Sequence, residues 1–111
     1  MAKPEAIKAG HIVAIGIIPG TAPNACYIGL VRSVDEYGIR ITPVKWDDDL
    51  DDVRLSTEDF FVTWVNVNSM LVCTEEEPAK RFVRDKAPVW QAEVESMSKE
   101  DWLRPTSPSF S

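Results

Sequence analysis

The sequence predicts a mainly β fold, a small five-stranded barrel, and three features of the chain lead to this prediction. Its 111 residues, 44% of them hydrophobic, are enough for one domain with one core. Up to Thr74, short runs of β-branched and aromatic residues alternate with turn residues. The connections between these runs are short, and five short strands joined in this way favour a barrel over an open sheet.

Five runs are predicted to be strands. The first is bounded by Gly10 and by the turn signals PGTAPN. The tight turn DEYG follows the second, and Gly38 is expected to supply a positive φ there. Pro43 cannot donate a ladder hydrogen bond, so it is expected at an edge or a bulge of the third. The predicted strands cover residues 11–18, 25–34, 39–46, 60–65 and 69–74.

Helical segments are predicted on both sides of the barrel. Pro4 favours a helical turn over residues 4–8, because proline is common at helix starts. Two short helices are predicted over residues 78–85 and 88–97. In the second, Trp90, Val94 and Met97 form one apolar stripe that is expected to pack on the barrel or on a neighbouring subunit.

The domain organisation follows from one change in composition. Residues 1–74 are predicted to form the barrel domain and residues 75–104 a helical C-terminal extension. Residues 105–111 are rich in serine and proline and are predicted to be a disordered tail.

Charge and cysteine content exclude several classes of function. The net charge of −6 argues against a broad surface for nucleic acid or anionic membrane. The chain shows neither a signal peptide nor an apolar run long enough to cross a bilayer, which predicts a cytoplasmic protein. Cys26 and Cys73 are expected to be thiols. With His11 as the single histidine, no local zinc site is expected.

Two stretches of the chain, within residues 4–74, resemble the Sm-like family of SH3-type barrels. The first combines IVAIGIIPG, Gly29, Val31, Asp35 and the strand IRI, in the order of the family's first motif. The second, FFVTWVNVNSMLV, gives a strand, a very short turn and an immediate last strand, like the family's second motif. The resemblance implies a bent second strand at Gly29 and a barrel that assembles or binds RNA.

The first expectation for function is a non-enzymatic module that self-associates into a ring-like homo-oligomer. Unpaired outer edges of the last two strands would be templates for another copy, and neither strand contains proline or charge. The fourth strand is also apolar on both faces, which a solvated face does not need. The predicted interface residues are Phe60, Phe61, Val62, Trp64, Val65, Met70, Leu71 and Val72.

The alternative is single-stranded RNA binding, with Tyr37 stacking on a base and Asn66 or Asn68 reading its edge. RNA-binding members of the Sm-like family have an asparagine after the aspartate and an Arg-Gly or Lys-His pair in the last turn, whereas this chain has DEYG and NVN. Arg32 and Arg40 are expected near each other across the hairpin, either on a solvated face or contacting phosphate or an acidic neighbour. The candidate RNA-binding residues are Arg32, Asp35, Tyr37, Arg40, Asn66 and Asn68.

The acidic loop DDDLDD allows two interpretations. Asp47, Asp49, Asp51 and Glu58 have the spacing of positions 1, 3, 5 and 12 of a calcium loop. Position 6, however, is Asp52, where the calcium loop needs glycine. A solvated loop is therefore preferred, with exposed residues from Asp47 to Asp52, and no metal or other cofactor is expected.

No catalytic constellation is present in the sequence. It offers no paired acid and base, no glycine-rich phosphate loop and no nucleophile motif. We therefore expect no enzymatic activity and no small-molecule substrate.

Overall fold

A computed structural model describes residues 6–18, 20–21 and 26–96 of the chain. It contains six strands followed by a helical segment. The strands are β1 (Ile12–Ile17), β2 (Cys26–Val34), β3 (Gly38–Asp47), β4 (Asp52–Leu55), β5 (Phe60–Thr63) and β6 (Val67–Cys73). The helices are α1 (Glu76–Arg81) and α2 (Ala87–Ser96).

The strands form one antiparallel sheet in the order β4-β3-β2-β1-β6, and β5 also pairs with β3. The mainly β prediction is confirmed, but the closed five-stranded barrel is wrong. There are six strands, and among the described residues no ladder joins β5 to β6, so the sheet does not close. The sequence hides β4 because its four residues, DVRL, include two charges and continue directly from the acidic loop.

The last two strands also begin and end differently from the prediction. β5 ends at Thr63 rather than at residue 65, because Trp64–Asn66 form a 3-10 turn. β6 begins at Val67 rather than at residue 69. The very short turn is therefore WVN and not NVN.

One long strand, β3, carries two partners along its outer edge. Its first half pairs with β5 and its second half with β4. Pro43 lies between these two ladders, where its missing N–H costs no ladder bond on that edge. Its carbonyl instead accepts the N–H of Ser56 at 2.8 Å. This break fits the expectation that proline lies at an irregularity.

The main core covers one face of the sheet. β1 is buried at all six positions, which explains its continuous apolar run. Alternate residues of the strands point into the main core, and Trp64 is 2% exposed there. The buried residues of the main core are Ile7, Val13, Ile15, Ile17, Tyr27, Val31, Ile39, Ile41, Val62, Trp64 and Val67.

A second core lies on the opposite face, between the sheet and the helical segment. Phe82 and Val83 pack there against Ile12 and Ile28. Trp90 of the predicted stripe is partly buried in this cluster, as expected, whereas the Val94 side chain and Met97 lie outside the described residues. No helix among the described residues is long and apolar enough to span a membrane.

The two predicted C-terminal helices are one continuous helical segment with a wide turn inside it. A π turn over Phe82–Lys86 joins α1 to α2, and the N–H of Ala87 donates to the carbonyl of Phe82. Pro88 has no N–H, and in a regular α-helix its ring would clash with the carbonyl four residues earlier. The wider turn before Pro88 accommodates the proline without a break.

The N-terminal segment is not helical where the structure describes it. Pro4 and Glu5 lie outside the described residues, and the rest of the predicted turn contains no helix. Ile7 is instead buried in the main core. The N–H of Lys8 donates to Nδ1 of His11 at 3.2 Å, so the histidine closes a local turn.

Gly38 has a different role from the one expected. Its φ is not positive, and the turn is made by Asp35, whose Oδ1 accepts the N–H groups of Tyr37 and Gly38 at 2.7 and 3.0 Å. A Cβ on Gly38 would lie against the carbonyl oxygen of Val62 and 2.8 Å from Cζ of Phe61. Glycine is therefore required because β5 crosses very close to this residue.

Replacing Gly38 with alanine should destabilise the fold. Because the backbone of Val62 cannot move aside cheaply, we expect a loss of about 1–3 kcal/mol in the free energy of unfolding. Urea denaturation followed by tryptophan fluorescence measures this loss. Ser33→Ala, at an exposed position of β2, is the control and should change stability by less than about 0.5 kcal/mol. Equal stabilities of the two variants would contradict the close approach.

Candidate interaction surface

The predicted interface residues divide into a buried and an exposed group. Val62 and Trp64 are buried in the main core, and Phe60 and Met70 are partly buried against it. The other four expose 48, 74, 48 and 37% of their surface: Phe61, Val65, Leu71 and Val72, respectively. Alternation along a strand predicts that odd- and even-numbered residues lie on opposite faces, but the sequence does not show which face of β5 or β6 meets the core.

The four exposed residues lie on or beside two free strand edges. Among the described residues, β5 pairs with β3 on one side alone and β6 with β1 on one side alone. From Phe60 to Thr74 the chain contains no charged residue and no proline. Natural edge strands are usually protected by such residues, so these two edges can accept another strand.

The outer edge of β4 is protected, in contrast to those of β5 and β6. Asp52 and Arg54 place charges on it, and Lys80 of α1 lies 3.3 Å from Asp52 Oδ1. The N–H of Val53 and then the ammonium of Lys80 lower the pKa of Asp52. The β4 edge is therefore less suited to strand addition than the uncharged edges of β5 and β6.

The turns that carry Tyr37 and Asn66 meet at one corner of the sheet. The backbone N–H of Trp64 donates to the carbonyl of Tyr37 at 3.0 Å, and its indole Nε1–H donates to the carbonyl of Asp35 at 2.7 Å. Tyr37 is 72% exposed, whereas Asn66 is half-buried. Asn68 is exposed on β6, and the Asp35 carboxylate is used in its own turn.

Arg32 and Arg40 lie near each other across the hairpin, although they are not a direct pair. A bulge in β2 at Arg32 places the next residue, Ser33, opposite Arg40. Nε of Arg32 donates to the hydroxyl of Thr42, and that buried hydroxyl donates to Oδ1 of Asp59, both at 2.6 Å. Arg32 is therefore bonded into the sheet, while Arg40 remains exposed across from Phe61.

The acidic loop is only partly solvated, so the expectation for the whole loop is wrong. Asp48, Asp49 and Asp51 are exposed, but the side chain of Asp47 is only 11% exposed. Its Oδ1 accepts the N–H groups of Asp49 and Leu50 at 2.9 and 3.2 Å, and its Oδ2 pairs with Arg54. The part of the chain that the structure describes gathers no three side chains suited to holding a metal ion.

Two cavities could not be predicted, because each is lined by several elements. One of about 470 Å3 lies between α1 and the second-core face, with Ile12, Leu30 and Leu55 in its wall. Its rim carries Lys80, which also pairs with Glu76 at 3.3 Å. The other, of about 180 Å3, lies beside β5 and is called the β5 cavity below.

The cysteines contribute no disulfide, as expected. Cys26 is buried, Cys73 is half-buried, and both are thiols. Burial raises the pKa of the Cys73 thiol, against the opposing effect of Lys86. A raised pKa disfavours the reactive thiolate.

Comparison with known proteins does not assign the chain to a family. No protein-family model, no curated protein and no solved structure matches the chain. The function must therefore be inferred from the chemistry of the two edges and of the corner around Tyr37.

Two substitutions compare the hydrogen-bonded aspartate of the acidic loop, Asp47, with an exposed one, Asp49. Asp47→Ala removes the acceptor of two backbone N–H groups and should lower the free energy of unfolding by about 1–2 kcal/mol. Asp49→Ala removes an exposed carboxylate and should stay within about 0.5 kcal/mol of the parent. Thermal denaturation of both variants measures the difference, and equal losses would contradict the structural role of Asp47.

Proposed function

We propose that the chain is a non-enzymatic binding and assembly module that self-associates by pairing β5 of one copy with β6 of the next. The proposal is carried by the two strand edges that are free among the described residues, which lack charge and proline and expose Phe61 and Leu71. Such pairing would satisfy edge hydrogen bonds and bury apolar surface together. Repeated head to tail, the same contact closes into a ring.

The hydrogen-bonding pattern of β5 identifies the backbone groups that a second copy could bond to. Antiparallel ladders alternate between residues that bond to the partner strand and residues whose groups point away from it. The bond from the N–H of Trp64 to the carbonyl of Tyr37 fixes this alternation. It directs the N–H and C=O groups of Phe61 and Thr63 to the free side.

The same reasoning applies to β6. The carbonyl of His11 accepts a bond from β2, and the N–H of Ile18 donates to Asn66 on the β6 side. Even-numbered residues of β1 therefore bond to β6. Met70 and Val72 lie opposite odd-numbered residues, so their backbone groups point to the free side.

The finer fold assignment is part of this proposal. We infer an Sm-like or SH3-like barrel that stays open between β5 and β6. A Cβ on Gly29 would lie 2.9 Å from the carbonyl oxygen of Thr42, so β2 and β3 approach closely at the glycine to which the resemblance assigns the bend. The strand, short turn and last strand around Trp64 also support the resemblance.

A proline at Thr63 tests edge pairing with little strain. Thr63 has φ −76° and ψ 143°, values that proline adopts readily, and its N–H points to the free side. Thr63→Pro should reduce an oligomeric parent to smaller species in light scattering, with an unchanged circular dichroism spectrum. Thr63→Val keeps the N–H and is the matched control, so it should assemble like the parent.

Two results would refute the assembly function. One is a parent protein that remains monomeric at high concentration. The other is a Thr63→Pro variant that folds and keeps the size of the parent oligomer.

The corner around Tyr37 favours a second candidate, single-stranded RNA binding. Tyr37 would stack on a base, and Asn66 or Asn68 would contact its edge, because the Trp64 bonds bring the two turns together. Fluorescence anisotropy with a single-stranded RNA oligonucleotide tests this at low and high salt. Tyr37→Ala should weaken binding by about 1–3 kcal/mol, while Leu50→Ala, in the exposed acidic loop, should have no effect. Absence of binding at low salt would exclude this candidate.

A further inference from the structure

The β5 cavity has the size of one side chain and lies on the free side of its strand. All four residues of β5 line it and no residue of β3 does, so it faces away from the β3 ladder. Ligand pockets usually begin at roughly 300 Å3. At about 180 Å3, the cavity is closer to the roughly 150 Å3 that truncation of one buried leucine can leave. Its lining residues are Ile17, Thr21, Tyr27, Phe60, Phe61, Val62, Thr63 and Asn66.

One antiparallel register joins both outward residues of β5 to both outward residues of β6. It pairs Phe61 with Val72 of the next copy and Thr63 with Met70 of the next copy. A shift of two residues in either direction loses one of these pairs. In one direction Thr63 meets Asn68, which lies in the β6 bulge, and in the other Phe61 meets Thr74, which lies beyond the strand.

In this register Leu71 of the next copy lies opposite Val62. Paired residues of an antiparallel ladder share one face, and Val62 points to the main-core face, where Ile17 and Tyr27 line the cavity. Leu71 is 48% exposed in the chain itself, because it points to the other face of β6. We propose that Leu71 of one copy occupies the β5 cavity of the next copy.

This inference rests on the proposed assembly and adds a basis for its specificity. In strand addition, main-chain hydrogen bonds accept almost any sequence, and side-chain pockets select the partner. A leucine on one edge and a cavity on the other make the contact heterologous. An open chain of copies then has one unused leucine at one end and one unused cavity at the other until a ring closes.

Two single variants and their mixture test the contact. Leu71→Ala removes the inserted side chain, and Thr21→Trp places a large ring at the exposed rim of the cavity. For each variant alone, the dissociation constant of assembly should be about ten- to a hundredfold larger than that of the parent, as expected for a central contact residue. Leu50→Ala, at a leucine that is 63% exposed and lies in the acidic loop, is the control and should assemble normally.

The mixture distinguishes this contact from a general loss of apolar surface. The Leu71→Ala copy retains an open cavity and the Thr21→Trp copy retains Leu71, so one productive contact forms and the mixture should stop at a 1:1 dimer. Leu71→Met keeps the volume and should assemble like the parent. Circular dichroism of each variant verifies folding.

The results separate this inference from the function on which it rests. If Leu71→Ala assembles like the parent while Thr63→Pro does not, the edges pair but Leu71 does not fill the cavity, and the inference is wrong. It is also wrong if the mixture of folded variants gives no 1:1 dimer. A monomeric parent would refute both the inference and the assembly function.

Discussion

Trp64 donates two hydrogen bonds that set the position of the surface on which the proposed function depends. The indole is 2% exposed and donates to the carbonyl of Asp35, while its backbone N–H donates to the carbonyl of Tyr37. Both acceptors belong to the turn between β2 and β3, so this one residue fastens the end of β5 to the first hairpin. Truncation of a buried tryptophan typically costs about 3–5 kcal/mol, whereas an exposed ion pair such as Lys80–Glu76 contributes little to stability because solvent screens it.

The free edges are a geometric consequence of this attachment. The 3-10 turn that starts at Trp64 moves the chain from the edge of β3 to the edge of β1, because Asn66 already accepts a bond from Ile18. β5 and β6 are therefore held by different strands and do not form a ladder with each other. A sheet closed at this point would have paired both edges internally. In the described part of the chain, no strand pairs with the outward backbone groups of either edge.

The sequence predicted the features that depend on local patterns and missed those that depend on pairing. The apolar run of β1 and the turn at Asp35 could be recognised because burial on both faces and turn residues leave a local signal. β4 could not, because pairing with β3 holds its charged residues in a strand. The bulge at Arg32, the pairing of Asp47 in β3 with Arg54 in β4 and the β5 cavity all arise where separate elements meet, and no local pattern marks them.

The charge distribution explains why assembly would use these two edges and not the third. With a net charge of −6, copies of the chain repel one another, and salt screens this repulsion beyond about 8–10 Å. The remaining attraction must be short-range and apolar, which suits edges that carry no charge from Phe60 to Thr74. The β4 edge carries Asp52 and Arg54 and lies beside Lys80, so a strand docking there would have to desolvate charges. Pairing of β5 with β6 is thus favoured both by what these edges expose and by what the β4 edge excludes.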